Sequence, residues 1–340
     1  MEQKINDLFT KWDEENFSGV ISISNNGKTL YEKVAGYRNR GERLPNQPDT
    51  AFGIASGTKL FTAAAICQLI DQGKLTLGSK IHNILTLDLG NINKDVTILH
   101  LLTHSSGIAD YLDFDDKEIE TNFFDTHPVN NWISNEYYLP LFNQRPKAFE
   151  LGEKMDYSNS NFILLGLVIE KISGMCYREH IKQNILIPLG MTRTGFHVTN
   201  NLPANTAIGY TWDKKAEEYV GNYFRLPVVG AADGGLYTTA HDMAIFWQGI
   251  FTEKLFSANM QKQFLLPRTF FEDIEGHMGL GVFVSEKNGQ TIYWHDGGDS
   301  GVVFCTAYFP ASGNVMTILL NVGVRLLDFQ DDLMALLVTI

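Results

Sequence analysis

The chain has 340 residues, 44% of them apolar and 19% charged, with 39 acidic against 27 basic side chains and a net charge of −12. That composition is of a packed globule and excludes a disordered chain, while the acidic excess repels nucleic-acid backbones and anionic bilayers. A chain of this length buries roughly 75% of its unfolded surface, in one large domain or two interlocked ones.

No apolar run approaches the ~20 residues of a membrane-spanning helix. The opening MEQKINDLFTKWDEENF is acidic and amphipathic and carries no apolar core of a secretion signal. Three cysteines, Cys67, Cys176 and Cys305, lie far apart with no CxxC, which argues against a disulfide scaffold or zinc ribbon and fits a reducing compartment. A cytoplasmic location is the expectation. Oligomeric state is not legible.

In chain order, Ile5, Leu8, Phe9 and Trp12 recur at helical spacing and predict an amphipathic helix. A hairpin follows: Ile21 and Ile23 alternate with Ser22 and Ser24, Asn25-Asn26-Gly27 supplies the turn, and TLYEKVAGY returns. Leu60 to Ile70 is apolar nearly all round, which predicts a buried helix stopped by Gly73. From about 81 to 204 the pattern is helical and loop-rich, with Phe162, Leu165, Ile169 and Ile172 on one helix closed by Gly174. The acidic run DYLDFDDKEIE at 110–120 reads as a solvated surface loop. After a loop-rich stretch from 205, a helix from Thr239 carries Met243, Trp247 and Ile250 on one face. Four strands follow, GLGVFV, QTIYWH, VVFCTAYF and NVMTILLN, and an apolar helix from Leu326 ends the chain. Strands at both ends with helices between predict an α/β (α+β) fold: an antiparallel sheet formed by 1–80 and 205–340, flanked by terminal helices, with a mainly helical region at 81–204 inserted and a site at their interface.

Three short patterns carry candidate chemistry. Ser56-Gly57-Thr58-Lys59 puts a hydroxyl at a helix start and an amine one turn on, along nearly the same face. A hydroxyl needs a base within hydrogen-bond reach, and a lysine desolvated by a buried helix can supply one near neutrality. On spacing alone the pair is equally an N-cap serine beside a surface lysine. It is the chain's one Ser-x-x-Lys, however, and its helix is too apolar for a surface helix. Tyr157-Ser158-Asn159 offers a proton relay and an amide, although Tyr37-Arg38-Asn39 has the same form and reads as a strand end. His295-Asp296-Gly297-Gly298 follows an apolar strand, where glycines let a substrate approach and a free N–H can stabilise an oxyanion, although His277-Met278-Gly279 is a second His-x-Gly.

Taken in order, Ser-x-x-Lys, Tyr-x-Asn and a late His-x-Gly resemble the serine β-lactamase and penicillin-binding-protein superfamily. Tyr-Ser-Asn points to its class C β-lactamase-like branch, which also holds esterases, D-aminopeptidases and D-Ala-D-Ala carboxypeptidases. Further blocks are similar and stand in the family's order: AFGIASGTKLFTAAAICQLIDQGKLTLGSKI, LLTHSSGI, YSNSNFILLGLVIEKISG, IPLGMTRTGF, GGLYTTAHDMAIF and MGLGVFV. The resemblance implies that Ser56 is acylated and Lys59 takes its proton. It implies that Tyr157 carries protons to the leaving group and from the deacylating water, that Asn159 orients substrate and Lys59, and that His295 stands for the usual lysine of Lys-Thr-Gly. The N–H groups of Ser56 and Gly298 would form the oxyanion hole, with Asp296 and Gly297 against a small-molecule or peptide substrate. No metal or organic cofactor enters this chemistry.

Three departures from the pattern stand out: His295-Asp296-Gly297 in place of Lys-Thr-Gly, Leu151-Gly152 where Pro-Gly is frequent, and the missing secretion signal. The first bears on recognition of a β-lactam carboxylate. Rival readings are poorer. Gly298-Asp299-Ser300-Gly301 resembles the nucleophile segment of trypsin-like proteases, but helices at 57–72 and 161–172 contradict their two β-barrels. No G-x-S-x-G elbow exists for an α/β-hydrolase. His100 and His104 are four apart but lack an HExxH, so packing or hydrogen bonding is their favoured role. A second class of function, a sensor that acylates once and stalls, keeps the same residues.

Overall fold

The computed structural model describes residues 2–10, 17–112, 127–323 and 327–339. Trp12, residues 113–120 of the acidic run and Leu326 lie outside them.

The first helix, α1 (Glu2–Thr10), buries Ile5 and Phe9. Strands β1 (Gly19–Asn25) and β2 (Lys28–Ala35) form the hairpin, turning at Asn26 and Gly27, both with positive φ. The nearly all-apolar stretch is helix α2 (Thr58–Asp71), preceded by a 3-10 turn over Ala55–Gly57. A short helix α3 (Ile98–Leu102) and the long α4 (Asn159–Ser173) follow. Gly174 ends α4 in the left-handed conformation at φ 69°, as its position predicts. Helix α5 (Ala240–Phe251) starts from an N-cap in which the Thr239 side chain accepts from the Asp242 N–H.

Six strands complete the sheet: β3 (Thr269–Phe271), β4 (Gly276–Met278), β5 (Phe283–Lys287), β6 (Gln290–Asp299), β7 (Val302–Phe309) and β8 (Asn314–Leu320). Helix α6 (Leu327–Leu337) ends the described chain. The sheet is antiparallel throughout in the order β2-β1-β8-β7-β6-β5-β4-β3, so the predicted pairing of the two ends is the β1–β8 ladder, Gly19 opposite Leu320 to Asn25 opposite Asn314.

Side chains alternate across this sheet, and both faces are covered. Ile21, Ile23, Ala307 and Ile318 pack with Phe9 of α1 and Leu333 of α6. Val20, Phe304 and Leu319 face the other way and join one continuous cluster with α2, α4 and α5. That is why Ser22 and Ser24 are buried as well as the isoleucines between them.

Two differences from the sequence reading are local. GLGVFV is a strand only from Phe283, because Gly281 at φ 71° turns the chain before it. A separate hairpin of Tyr210–Asp213 with Glu218–Gly221 occupies the stretch read as loop-rich, and strands β3 and β4 fall where the sequence reading assigns no element. Runs of three or four residues are too short to show a period of two.

Candidate active site

The site starts with a backbone fold just ahead of α2. Ala55 sits at φ 43°, an uncommon conformation for a residue with a Cβ, and turns the chain so that Ser56 opens the helix. The turn is held from both sides. Thr58 Oγ1 donates to the Ala55 carbonyl at 2.8 Å and accepts from the Leu236 N–H at 3.0 Å, and the Ile54 N–H donates to the Leu236 carbonyl at 2.9 Å.

One helical turn later, Lys59 is fully buried. Its ammonium donates to Ser56 Oγ at 2.9 Å, Asn159 Oδ1 at 2.7 Å and the Asp233 carbonyl at 2.7 Å. Those are all three donors of an ammonium. Burial pulls its pKa down to about 8, against the opposing field of Asp233, Asp110, Asp296 and Asp299. When the proton leaves, the Asn159 oxygen and the Asp233 carbonyl can only go on accepting. The lone pair therefore falls toward Ser56, whose hydroxyl turns to donate into it. This is the geometry of a base beside a nucleophile.

Tyr157 hydrogen-bonds to Ser56, and burial raises its phenol well above its ordinary value, so it is a neutral O–H donor. Its ring stacks on His104 at 4.4 Å between centroids, and Lys59 Nζ lies 5.0 Å from the Tyr157 centroid. His104 Nδ1 accepts from the Ser158 N–H at 3.1 Å, which anchors Tyr157-Ser158-Asn159 beneath α2. His100 is engaged elsewhere, closing a capping box with Thr97 at the start of α3.

Strand β6 brings the third pattern. Gly297 lies against the turn before α2: a Cβ there would come within 2.3 Å of the Ile54 carbonyl oxygen and 2.9 Å of the Ser56 nitrogen. Gly57 leaves equally little room, 2.2 Å from the Phe304 ring. Gly297 lets β6 and Ser56 meet backbone to backbone, Gly57 leaves room for the Phe304 ring of β7, and Gly298 follows with open space around it. Alternation along β6 separates its side chains. His295 is buried behind the wall, stacked on Phe283 at 4.7 Å, with Nδ1 donating to the Asp296 carbonyl at 2.6 Å. Burial and the charge of Lys59 hold its pKa down at about 3, so it is neutral. Asp296 faces the cavity instead. Burial raises its carboxyl to about 6 and that of Asp299 to about 7.

These groups share one cavity of about 760 Å³, with Ser56, Tyr157 and Asn159 on its wall. Asp233, Asp273, Asp296 and Asp299 also line it, and among the described lining residues there is no lysine or arginine. Tyr111, Trp132, Tyr138 and Leu226 give it an apolar side. Ser56, Lys59, Tyr157, Asn159, Asp296, Gly297 and Gly298 thus converge, and His295 stands behind them. The trypsin-like Gly298-Asp299-Ser300-Gly301 is the tight β6–β7 turn, with Asp299 Oδ1 accepting from the Ser300 N–H at 2.8 Å. His277 pairs with Val284 in the sheet, and Tyr37-Arg38-Asn39 is a short strand, as its position predicts.

The sequence reading missed Asp110 and Asp233. Asp110 opens the acidic run, yet its carboxylate is half-buried and hydrogen-bonded to Asn159. Its place two residues after the block LLTHSSGI (101–108) is the signal that separates it from the run. Asp233 stands in a glycine-rich bend, Gly230 to Gly235, where the chain passes Ala55.

A large antiparallel sheet with helices on both faces, and Ser-x-x-Lys at the head of a buried helix, define the serine β-lactamase/transpeptidase fold. The chain belongs to the Beta-lactamase family, which it matches over residues 5–339. It is 29% identical over 308 residues to penicillin-binding protein 4* of Bacillus subtilis, covering 86% of this chain and 65% of that protein's length. A penicillin-binding protein from Bacillus halodurans is 34% identical with a TM-score of 0.90, over 98% of this chain and 99% of that one. D-amino acid amidase from Ochrobactrum anthropi shares the fold at 19% identity and a TM-score of 0.77, over 95% and 92% of the two chains.

Proposed function

We propose that the protein is a serine acyl hydrolase working through a covalent acyl-enzyme on esters or amides that carry no carboxylate near the scissile bond. Ser56 Oγ attacks the carbonyl carbon and its proton passes to Lys59 Nζ. The N–H groups of Ser56 and Gly298 take the oxyanion, and Tyr157 hands a proton to the leaving oxygen or nitrogen as its bond to the carbonyl carbon breaks. Water then releases the acyl group by the reverse relay. The observation that carries this reading is the buried Lys59: of its partners among the described residues, Ser56 is the one able to return a proton.

The choice of substrate rests on charge. Where the resemblance places a lysine and a threonine to meet a carboxylate, this chain has a neutral imidazole turned away and an aspartate facing in. Two like charges ~6 Å apart at an effective dielectric of about 20 repel by about 3 kcal/mol, on the order of a hundredfold in rate. Neutral esters, and amides with a free amine, are the substrates this wall favours.

The test compares kcat/KM for a neutral ester, an amino-acid amide and an anionic cephalosporin at pH 8, in wild type and in His295→Lys/Asp296→Thr. Expected is a wild type that turns over the first two and disfavours the cephalosporin about a hundredfold, with the double variant narrowing the gap. A wild type that favours the cephalosporin, unchanged in the double variant, contradicts the substrate assignment. Product that stops at one equivalent with every substrate contradicts turnover and points to a sensor.

A further inference from the structure

Lys59 has two acceptors besides Ser56, and both are held by adjacent residues of one segment. Asp110 Oδ2 accepts from the Asn159 backbone N–H at 3.1 Å and from Asn159 Nδ2 at 2.9 Å. The next residue, Tyr111, donates its hydroxyl to Asp233 Oδ2, and the Asp233 carbonyl accepts from Lys59. The segment is tied down around them. Asp110 Oδ1 accepts from the Leu112 N–H at 3.2 Å, the Tyr111 N–H donates to Ser160 Oγ at 3.0 Å, and Arg145 donates to the Asp110 carbonyl.

We infer that Asp110 is a positioning residue for the base: it fixes the Asn159 amide with its nitrogen away from Lys59 and its oxygen toward it. A carboxylate only accepts, so the face of the amide turned to Asp110 must be the NH2. The oxygen is then locked toward Lys59, at 2.7 Å. With the amide reversed, an NH2 would face the ammonium, and a neutral Lys59 would have a second donor competing with Ser56 for its lone pair. Asp110 also takes the first N–H of α4, where the Ser158 side chain makes no cap, so backbone and side chain of Asn159 are held by one oxygen. Asn159, by contrast, touches Lys59 directly. Asp110 acts through it.

This inference rests on the reading of Lys59 as base, and a double-mutant cycle separates the two. Asp110→Ala, Asn159→Ala and the double variant are compared with wild type on a neutral ester, reading kcat, KM and melting temperature. Expected is a loss of about tenfold or more in kcat for Asp110→Ala with little change in KM, most of it absent when Asn159 is already alanine. Asp110→Asn keeps an acceptor for the Asn159 amide and is expected to recover most of the rate. If Asp110→Ala does not fold, the cycle is run with Asp110→Leu and Asp110→Asn. Equal losses in both backgrounds, or a loss confined to KM or to melting temperature, overturn the assignment. A wild type with no acyl transfer contradicts the proposed function, whereas an active wild type with additive losses contradicts this inference alone.

Discussion

Lys59 is buried with its amine inside a ring of oxygens, and its environment works in two directions. Desolvation pushes the proton off, while Asp233 and Asp110 hold it on, and the balance lies near pH 8. A base must be neutral to take the Ser56 proton. The acylation rate is therefore expected to rise with pH through about 8 and level off above it, read by single-turnover release of the ester's leaving group. Lys59→Arg keeps the cation but cannot lose its proton, so acylation should fall by several orders of magnitude. A rate flat from pH 6 to 9, or an arginine variant near wild type, contradicts the role. Tyr157 does not compete as the base, because its phenol is raised and stays protonated across this range. His295 is neutral throughout as well, so the fixed cation near the nucleophile at lower pH is Lys59 itself.

At the scale of elements, the site is the seam between β6 and the turn that opens α2. Gly297→Ala places a Cβ 2.3 Å from the Ile54 carbonyl oxygen, and neither partner there is a flexible side-chain end. The strand must move away from Ser56, carrying the Gly298 N–H with it. Expected is a fall of about 10²–10³ in kcat on a neutral ester, the cost of losing one oxyanion donor, in a protein whose circular dichroism is unchanged. Retention of wild-type kcat contradicts the seam as the source of the oxyanion hole. This seam was partly legible beforehand. The glycines at 297 and 298 were readable as a close approach, but which β6 side chain faces the cavity was not. Strand alternation allows either phase, and it takes the folded site to show Asp296, and not His295, on the cavity wall. Asp110 escapes for a related reason: charge composition describes a segment's average, and one carboxylate hydrogen-bonded at the segment's edge is lost in it. The edge strands β3 and β4 escaped because three residues hold no period.

For the whole molecule, the long elements were legible because each is a continuous apolar run or carries a regular apolar stripe: α2, buried nearly all round, with α4, α5 and the interior strands β6 to β8, lie where that pattern places them. Joining first strand to last strand makes the two chain ends neighbours in one sheet. The face opposite α1 and α6 shares a single apolar cluster with the helices that carry Lys59 and Asn159. Ser56 sits in the turn that opens α2, Lys59 on α2, Asn159 on α4 and Gly298 on a strand of the sheet, so the proposed catalytic geometry is a property of the packed whole. The measurement that bears most directly on it is the intact mass, with peptide mapping, of wild type and Ser56→Ala after exposure to a slowly deacylating activated ester. Loss of the serine removes at most a helix-terminal hydroxyl, about 1 kcal/mol as a cap, so the variant should stay folded. The expected result is one acyl mass on wild type, mapped to the peptide holding Ser56, and none on the variant. An acyl adduct that persists in Ser56→Ala, or maps to another residue in wild type, contradicts the central claim.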